Sequence, residues 1–345
     1  MKKILATLLA LALAASLASC GTHPAVAVET VAYESLDAVA EAEAGGYNLD
    51  NIRENTWALG TDSVEDTVTH LFAARFSNLV EQYSGGKMHI NVYSNAKIGN
   101  DQSLIESVKA YDGGASFVVQ TTAPQVSVMP KLAVFDIPCA YQTIEEFREA
   151  VDQPEFMELL EQVYTEADLK LLGLADQGFR VMTSNKMIDS MDDFQGIKIR
   201  TMSNSNHMAF WDAIGANPTP LAWSETFTSL QTKAIDAQEN PYELIAGSKL
   251  YEVQDYAVNT NHVAHTLALV TSDALWQELN EDERAVLARA AEEARTYARE
   301  QADVRADERI QMCIDGGMEV VDLSDELWAE LVEASQPVYA SLREV

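Results

Sequence analysis

GFRVMTSNKMIDSMDDFQGIKIRTMSNSNHMAFWDAIGANPTPLAWSETFTSLQTKAIDAQENP runs from Gly178 to Pro241 and alternates short strand-like runs with turns. Arg180 and Arg200 each end such a run, on either side of the turn Asp192-Asp193-Phe194-Gln195-Gly196. Helical spacing predicts a helix from about Ser205 to Ile214 and another from Ser224. Ala234 to Gln238 then leads into a strand, and Gln238-Glu239-Asn240 closes the stretch ahead of Pro241. An arginine fork meets a carboxylate through two parallel charge-assisted hydrogen bonds. Two such forks, the amide of Asn240 and the aromatic Trp223 together describe a pocket for a small organic anion. The plainer alternative is that Arg200 is an edge-strand residue paired with a surface acid. Glu239 and Asn240 on one strand face opposite sides, so Glu239 is expected to point away from the pocket, toward a cation of the scaffold.

The flanks extend the same α/β grammar. Thr56 to Gly60 is strand-like, and Ser63-Val64-Glu65-Asp66 has the form of a helix cap. Val68, Leu71, Phe72, Phe76, Leu79 and Val80 keep a helical period up to Gly85-Gly86. Met88, Ile90 and Val92 alternate with polar neighbours, as in a strand. A helix through Leu104 to Tyr111 and a strand at Ala115 to Gln120 complete β-α-β-α-β, a layered α/β pattern. Ala133 to Pro138 is a short apolar run, 143–167 is helical, and Leu169 to Leu174 is a buried strand. Two strand-like runs surround His262. Ala288, Ala291, Ala294 and Ala298 are spaced for a helix from Glu281 to about Cys313, close to ~50 Å long at 1.5 Å per residue. Met318 to Leu323 is a last strand, and Leu327 to Leu342 a last helix.

The 345 residues are 47% hydrophobic, enough for two domains with their own cores. The net charge of −31 argues against nucleic acid and against docking on anionic lipid through a basic patch. At the N-terminus, Lys2 and Lys3 precede an apolar run from Ile4 to Leu17 that is too short to span a bilayer. Leu17-Ala18-Ser19-Cys20 then resembles the lipobox of bacterial lipoproteins. Residues 1–19 are therefore expected to be a signal peptide, Cys20 a lipidated residue, and 20–53 a tether. An ordinary signal peptide with an incidental cysteine is the alternative. Cys139 and Cys313 sit in mostly apolar contexts and read as buried free thiols, with a disulfide between them as the alternative in an exported protein.

Catalytic signatures are missing: the sequence has no phosphate loop, nucleophile elbow, HExxH motif or calcium loop. His262 and His265, three apart on a strand-like run, should face opposite sides. They read as structural histidines rather than metal ligands. The expectation is a binding protein without cofactor or metal, not an enzyme.

GFR at 178–180, DDFQGIKIR at 192–200, GANPTPLAWSETFTSLQT at 215–232, DAQENP at 236–241 and KLYEVQDYAVNTNH at 249–262 resemble the solute-binding subunits of tripartite ATP-independent periplasmic (TRAP) transporters, the DctP family. Weaker similarity extends from about residue 55 to the C-terminus, through GGKMHINVY and IGNDQSLIESVKAYDGGASF. The resemblance implies a two-lobed α/β fold of the periplasmic-binding-protein type (type II-like), with an interdomain cleft that closes on an organic acid. Lobe I would be residues 54–177 with 266–305, and lobe II 178–265 with 306–345, joined by crossing strands and the long helix. The resemblance puts the ligand carboxylate on Arg200, helped by Asn240, with Arg180 in or near the pocket. Trp223 would pack on the ligand body and Ser203 would offer a polar contact. First-lobe contacts fall near Thr61–Ser63 and Gln120–Thr122, and Gln120-Thr121-Thr122 offers no acid for an amine or polyol. Alanine at 237 replaces the family's usual glycine without removing a ligand group. The implied partners are TRAP membrane permease subunits, outside the cytoplasm. The alternatives are a ligand-sensing lipoprotein of the same fold that feeds a sensor kinase and, less favoured, a secreted enzyme acting on organic acids.

Overall fold

A computed structural model describes residues 38–343. The signal peptide 1–19, the lipidation at Cys20 and the first part of the tether lie outside the described residues. Nine strands are present among the described residues: β1 (Asn55–Gly60), β2 (Met88–Tyr93), β3 (Phe117–Thr121), β4 (Leu169–Ser184), β5 (Lys198–Thr201), β6 (Asn217–Pro220), β7 (Ala237–Asn240), β8 (Tyr256–Ser272) and β9 (Glu319–Asp322). They join in the order β2-β1-β3-β8-β4-β7-β5-β6, with β9 also beside β8.

The long strands β4 and β8 pair antiparallel along their whole length, from Leu169 opposite Ser272 to Ser184 opposite Tyr256. β3 joins one end of this ribbon, at Leu267 to Thr271. β7 joins the other end, at Val181 to Ser184. Two half-sheets therefore hang from opposite ends of one ribbon. The sequence showed this ribbon only as four separate runs. Register shifts between Asp176 and Phe179 and between Arg180 and Met182 break the alternation. Gly178 at φ +81° and Asn261 at φ +40° lie beside them. Such bulges interrupt a period-two pattern without ending the pairing.

Each half-sheet buries both faces, because neighbouring side chains on a strand point opposite ways. On β3, Phe117 and Val119 join Phe72 and Phe76 in one core. Val118 joins Leu132 and Tyr164 in another. At the far end of the ribbon Met182 and Val258 pack with Trp211, while Val181 and Ala257 pack with Ile245.

The helix Glu281–Asp315 passes both halves. Asn280 and Glu283 form its capping box. Its small buried residues Ala290, Ala291, Ala294 and Ala298 share a core with the helix Val68–Tyr83. Farther along, Cys313 packs with Val181 and Met318.

Several local expectations are corrected. The cap of the helix Val68–Tyr83 is Thr67, whose hydroxyl accepts the His70 N–H, rather than the segment from Ser63. The short apolar run at Ala133 to Pro138 falls largely in a 3-10 helix, Pro130–Asp136. The last helical pattern is two helices, Asp325–Ala334 and Gln336–Leu342. The described part of the supposed tether is packed: Ala42, Tyr47 and Ile52 are buried in the first core. Asn51 donates to Asp282, and Arg289 pairs with Glu41 at 2.7 Å. Its Ala- and Glu-rich composition hid this, because few large apolar residues mark the buried side. Cys139 and Cys313 are free and buried, and burial pushes their thiols up to about 11 and about 12.

Candidate ligand-binding cleft

The parallel strands β5 and β7 bring two arms of the site together. Arg200 lies on β5 opposite Gln238 of β7. Its side chain is buried, with Nε and Nη2 donating to the Leu221 carbonyl at 3.0 and 2.8 Å. The guanidinium lies 5.4 Å from the centre of the Trp223 ring, which opens the helix Trp223–Gln231. Burial pushes Arg200 down to about 10, still protonated at neutral pH. Asn240 ends β7 and donates to Gln238 Oε1 at 2.9 Å, and Gln238 in turn donates to Thr183.

Arg200 and Trp223 line two adjoining volumes of about 360 and 430 Å³. Asn240 faces the first and Ser203 the second. The opposite wall comes from the first half of the chain: Asp62 and Ser63 after β1, Gln120 and Thr121 at the end of β3, and Asp101 at the start of the helix Asp101–Ala110. The expected first-lobe positions, near 61–63 and 120–122, thus reach the cleft. The segment 120–122 brings no acid, as expected, but Asp62 and Asp101 supply two to the same wall from other segments.

Arg180 is placed differently. It sits mid-ribbon on β4, and all its side-chain nitrogens are taken. Nε and Nη2 bind the Glu239 carboxylate, Nη2 also donates to the Glu239 carbonyl at 2.6 Å, and Nη1 meets His265 Nδ1. Glu239 points away from the cleft, as its place in the strand alternation required. His262 Nε2 meets the same carboxylate at 3.0 Å, so both histidines converge on one buried network despite their spacing. Burial resists ionisation of Glu239, but the Arg180 charge and the bonds from His262 and Arg180 override it and hold the carboxyl far below its usual range. Burial and the Arg180 charge keep His265 neutral, and it lines the first volume together with Arg200.

Asp101 and His265 were not singled out as site residues by sequence reasoning. An acid at a helix start reads as a cap, and a strand histidine as structure. Among the described residues no cluster of His, Cys, Asp and Glu is arranged to hold a metal ion.

A family model described as bacterial extracellular solute-binding protein, family 7, matches residues 59–344. The chain belongs to the DctP family. A C4-dicarboxylate-binding periplasmic protein of Shewanella loihica is 30% identical over 84% of this chain and 88% of its own. The structure of a sugar acid binding protein from Advenella mimigardefordensis with galactonate aligns at TM-score 0.81 and 30% identity, over 85% of this chain and 94% of that one. A TRAP periplasmic solute-binding protein of Shewanella oneidensis with bound succinate aligns at TM-score 0.80 and 27% identity, over 84% and 94%. This DctP chain therefore has the two-lobed α/β fold of TRAP solute-binding proteins, a family of extracellular transport components. No helix among the described residues is long and apolar enough to cross a membrane.

Proposed function

We propose that this protein captures a small organic acid in the cleft, with Arg200 as the carboxylate anchor, and delivers it to TRAP permease subunits. One observation carries the anchor. Four arginines are buried, Arg180, Arg200, Arg305 and Arg309. Arg180, Arg305 and Arg309 each pair with a carboxylate. Among the described residues Arg200 alone of the four has no acid in contact, only the Leu221 carbonyl. A buried cation is costly unless paired, and a ligand carboxylate supplies the missing partner. The names of the relatives, for C4-dicarboxylates and a sugar acid, favour the same ligand class.

Asn240 and Trp223 flank the anchor, and Ser203 offers a hydroxyl from the rim. Arg180 acts at one remove, by holding Glu239 and His265 behind the cleft wall. The lobes divide the ribbon near Gly178 and His265, as 54–177 with 266–305 and 178–265 with 306–345, the first extended by the packed segment from Ala38. Ligand favours the closed arrangement because only there do both walls reach it. Delivery takes place outside the cytoplasm, with Cys20 as the lipid anchor, and the protein itself performs no chemistry on its cargo.

The test is a thermal-shift screen of the full-length protein against small organic acids, since a ligand of the native state raises its apparent stability. Arg200→Ala should abolish the shift and lower affinity by roughly 100-fold or more, the order expected for a buried ion pair losing one partner. Wild-type affinity in that variant would remove Arg200 from this role.

A further inference from the structure

The wall opposite Arg200 carries the reverse imbalance. Asp62 is 5% exposed, and its Oδ1 has no hydrogen-bond partner. Asp101 lines the same two volumes. Gln120 beside them is 1% exposed, and neither atom of its amide is satisfied. Neither acid has an ion-pair partner among the described residues. Burial raises Asp62, against the Asp101 backbone N–H and the Arg200 charge that lower it. Burial together with the Asp62 charge pushes Asp101 up to about 8. The cleft thus sets Arg200, hydrogen-bonded only to a backbone carbonyl, across from two acids that feel its charge without an ion-pair contact to it, with the unsatisfied Gln120 amide beside them.

We propose that the cleft takes a ligand with one carboxylate and, at its opposite end, a cationic nitrogen bearing N–H donors, and that it rejects dicarboxylates. This rests on Arg200 as the carboxylate anchor. A second carboxylate would add negative charge beside two acids that burial and, at Asp101, the Asp62 charge already push toward the protonated form. A hydroxyl offers one donor and no charge, so it does not stabilise the ionised form of either acid. A protonated amine offers three donors and a positive charge. It answers both acids and the Gln120 carbonyl at once, leaving the Gln120 NH₂ for the ligand's polar atoms. The Trp223 ring, which lines the cleft beside Arg200, lies against the body of such a ligand.

Titration calorimetry on the full-length protein at pH 7 tests this with matched acids: 4-aminobutyrate, 4-hydroxybutyrate and succinate, with their five- and six-carbon counterparts. The amino acid of the best-fitting length should bind at least about ten-fold tighter than its hydroxy partner, and the dicarboxylate least of all. Asp101→Asn and Asp62→Asn should each erase that preference and improve dicarboxylate binding, a gain that a misfolded protein could not show. Hydroxy acids or dicarboxylates binding the wild type as tightly as amino acids would overturn this inference alone. Binding by none of the acids, or undiminished binding in Arg200→Ala, would overturn the carboxylate anchor and this inference with it.

Discussion

Arg180 and Arg200 are the same side chain, both buried, yet they meet opposite surroundings. Arg180 is enclosed by Glu239 and His265, whereas Arg200 has a backbone carbonyl and an open volume. Glu239→Gln should therefore damage the fold more than the site, because it leaves the Arg180 charge buried and unpaired. A loss of about 3–5 kcal/mol in urea unfolding at pH 7 is expected. The pH dependence has a definite sign. The Glu239 carboxyl is depressed from its ordinary 4.5, so its stabilisation is present above that value and lost as pH falls toward the folded value. Glu239→Gln should remove that share of the acid sensitivity, and unchanged stability with an unchanged acid limb would contradict the pairing. The sequence could place Glu239 away from the cleft, because strand alternation is local. It could not separate the two arginines, because the distinction depends on a histidine from β8 and a carboxylate from β7 meeting at one point.

At the level of elements, the legible features were those with a clear period. The alanine spacing marked the helix Glu281–Asp315, and the alternating residues marked β2. The continuity of β4 and β8 was not legible, since their bulges resemble strand ends. The helix matters because its later turns tie distant segments together. Arg305 and Arg309 both reach Glu243, at 2.9 and 3.1 Å, and both also reach Asp66 before the helix Val68–Tyr83. Its earlier turns depend on small residues for close approach, with Ala290, Ala291 and Ala294 fully buried. Ala294→Leu should force side chains into a filled space and destabilise the protein by about 1–3 kcal/mol. A midpoint of unfolding equal to that of the wild type would mean that the helix packs more loosely there than its burial indicates.

For the whole molecule, the opposition is between the global field and the local anchor. The chain carries −31 charges in total, yet its cleft holds a buried cation ready for an anion. A purely anionic acid approaching from solution meets repulsion first and reaches Arg200 only at short range. Raising salt from about 0.01 M to about 0.15 M shortens the screening length from roughly 30 Å to roughly 8 Å. That removes most of the long-range repulsion and leaves the contact with the buried Arg200 largely unscreened. The association rate of an anionic acid should therefore rise across this range, while its dissociation rate changes little. A ligand with a balancing ammonium carries no net charge, so its association rate should stay nearly flat. Stopped-flow fluorescence can follow both, because Trp223 lies in the cleft wall. An association rate for the anionic acid that falls with salt would show that the cleft mouth steers anions inward, and that the field of the whole chain does not govern the encounter.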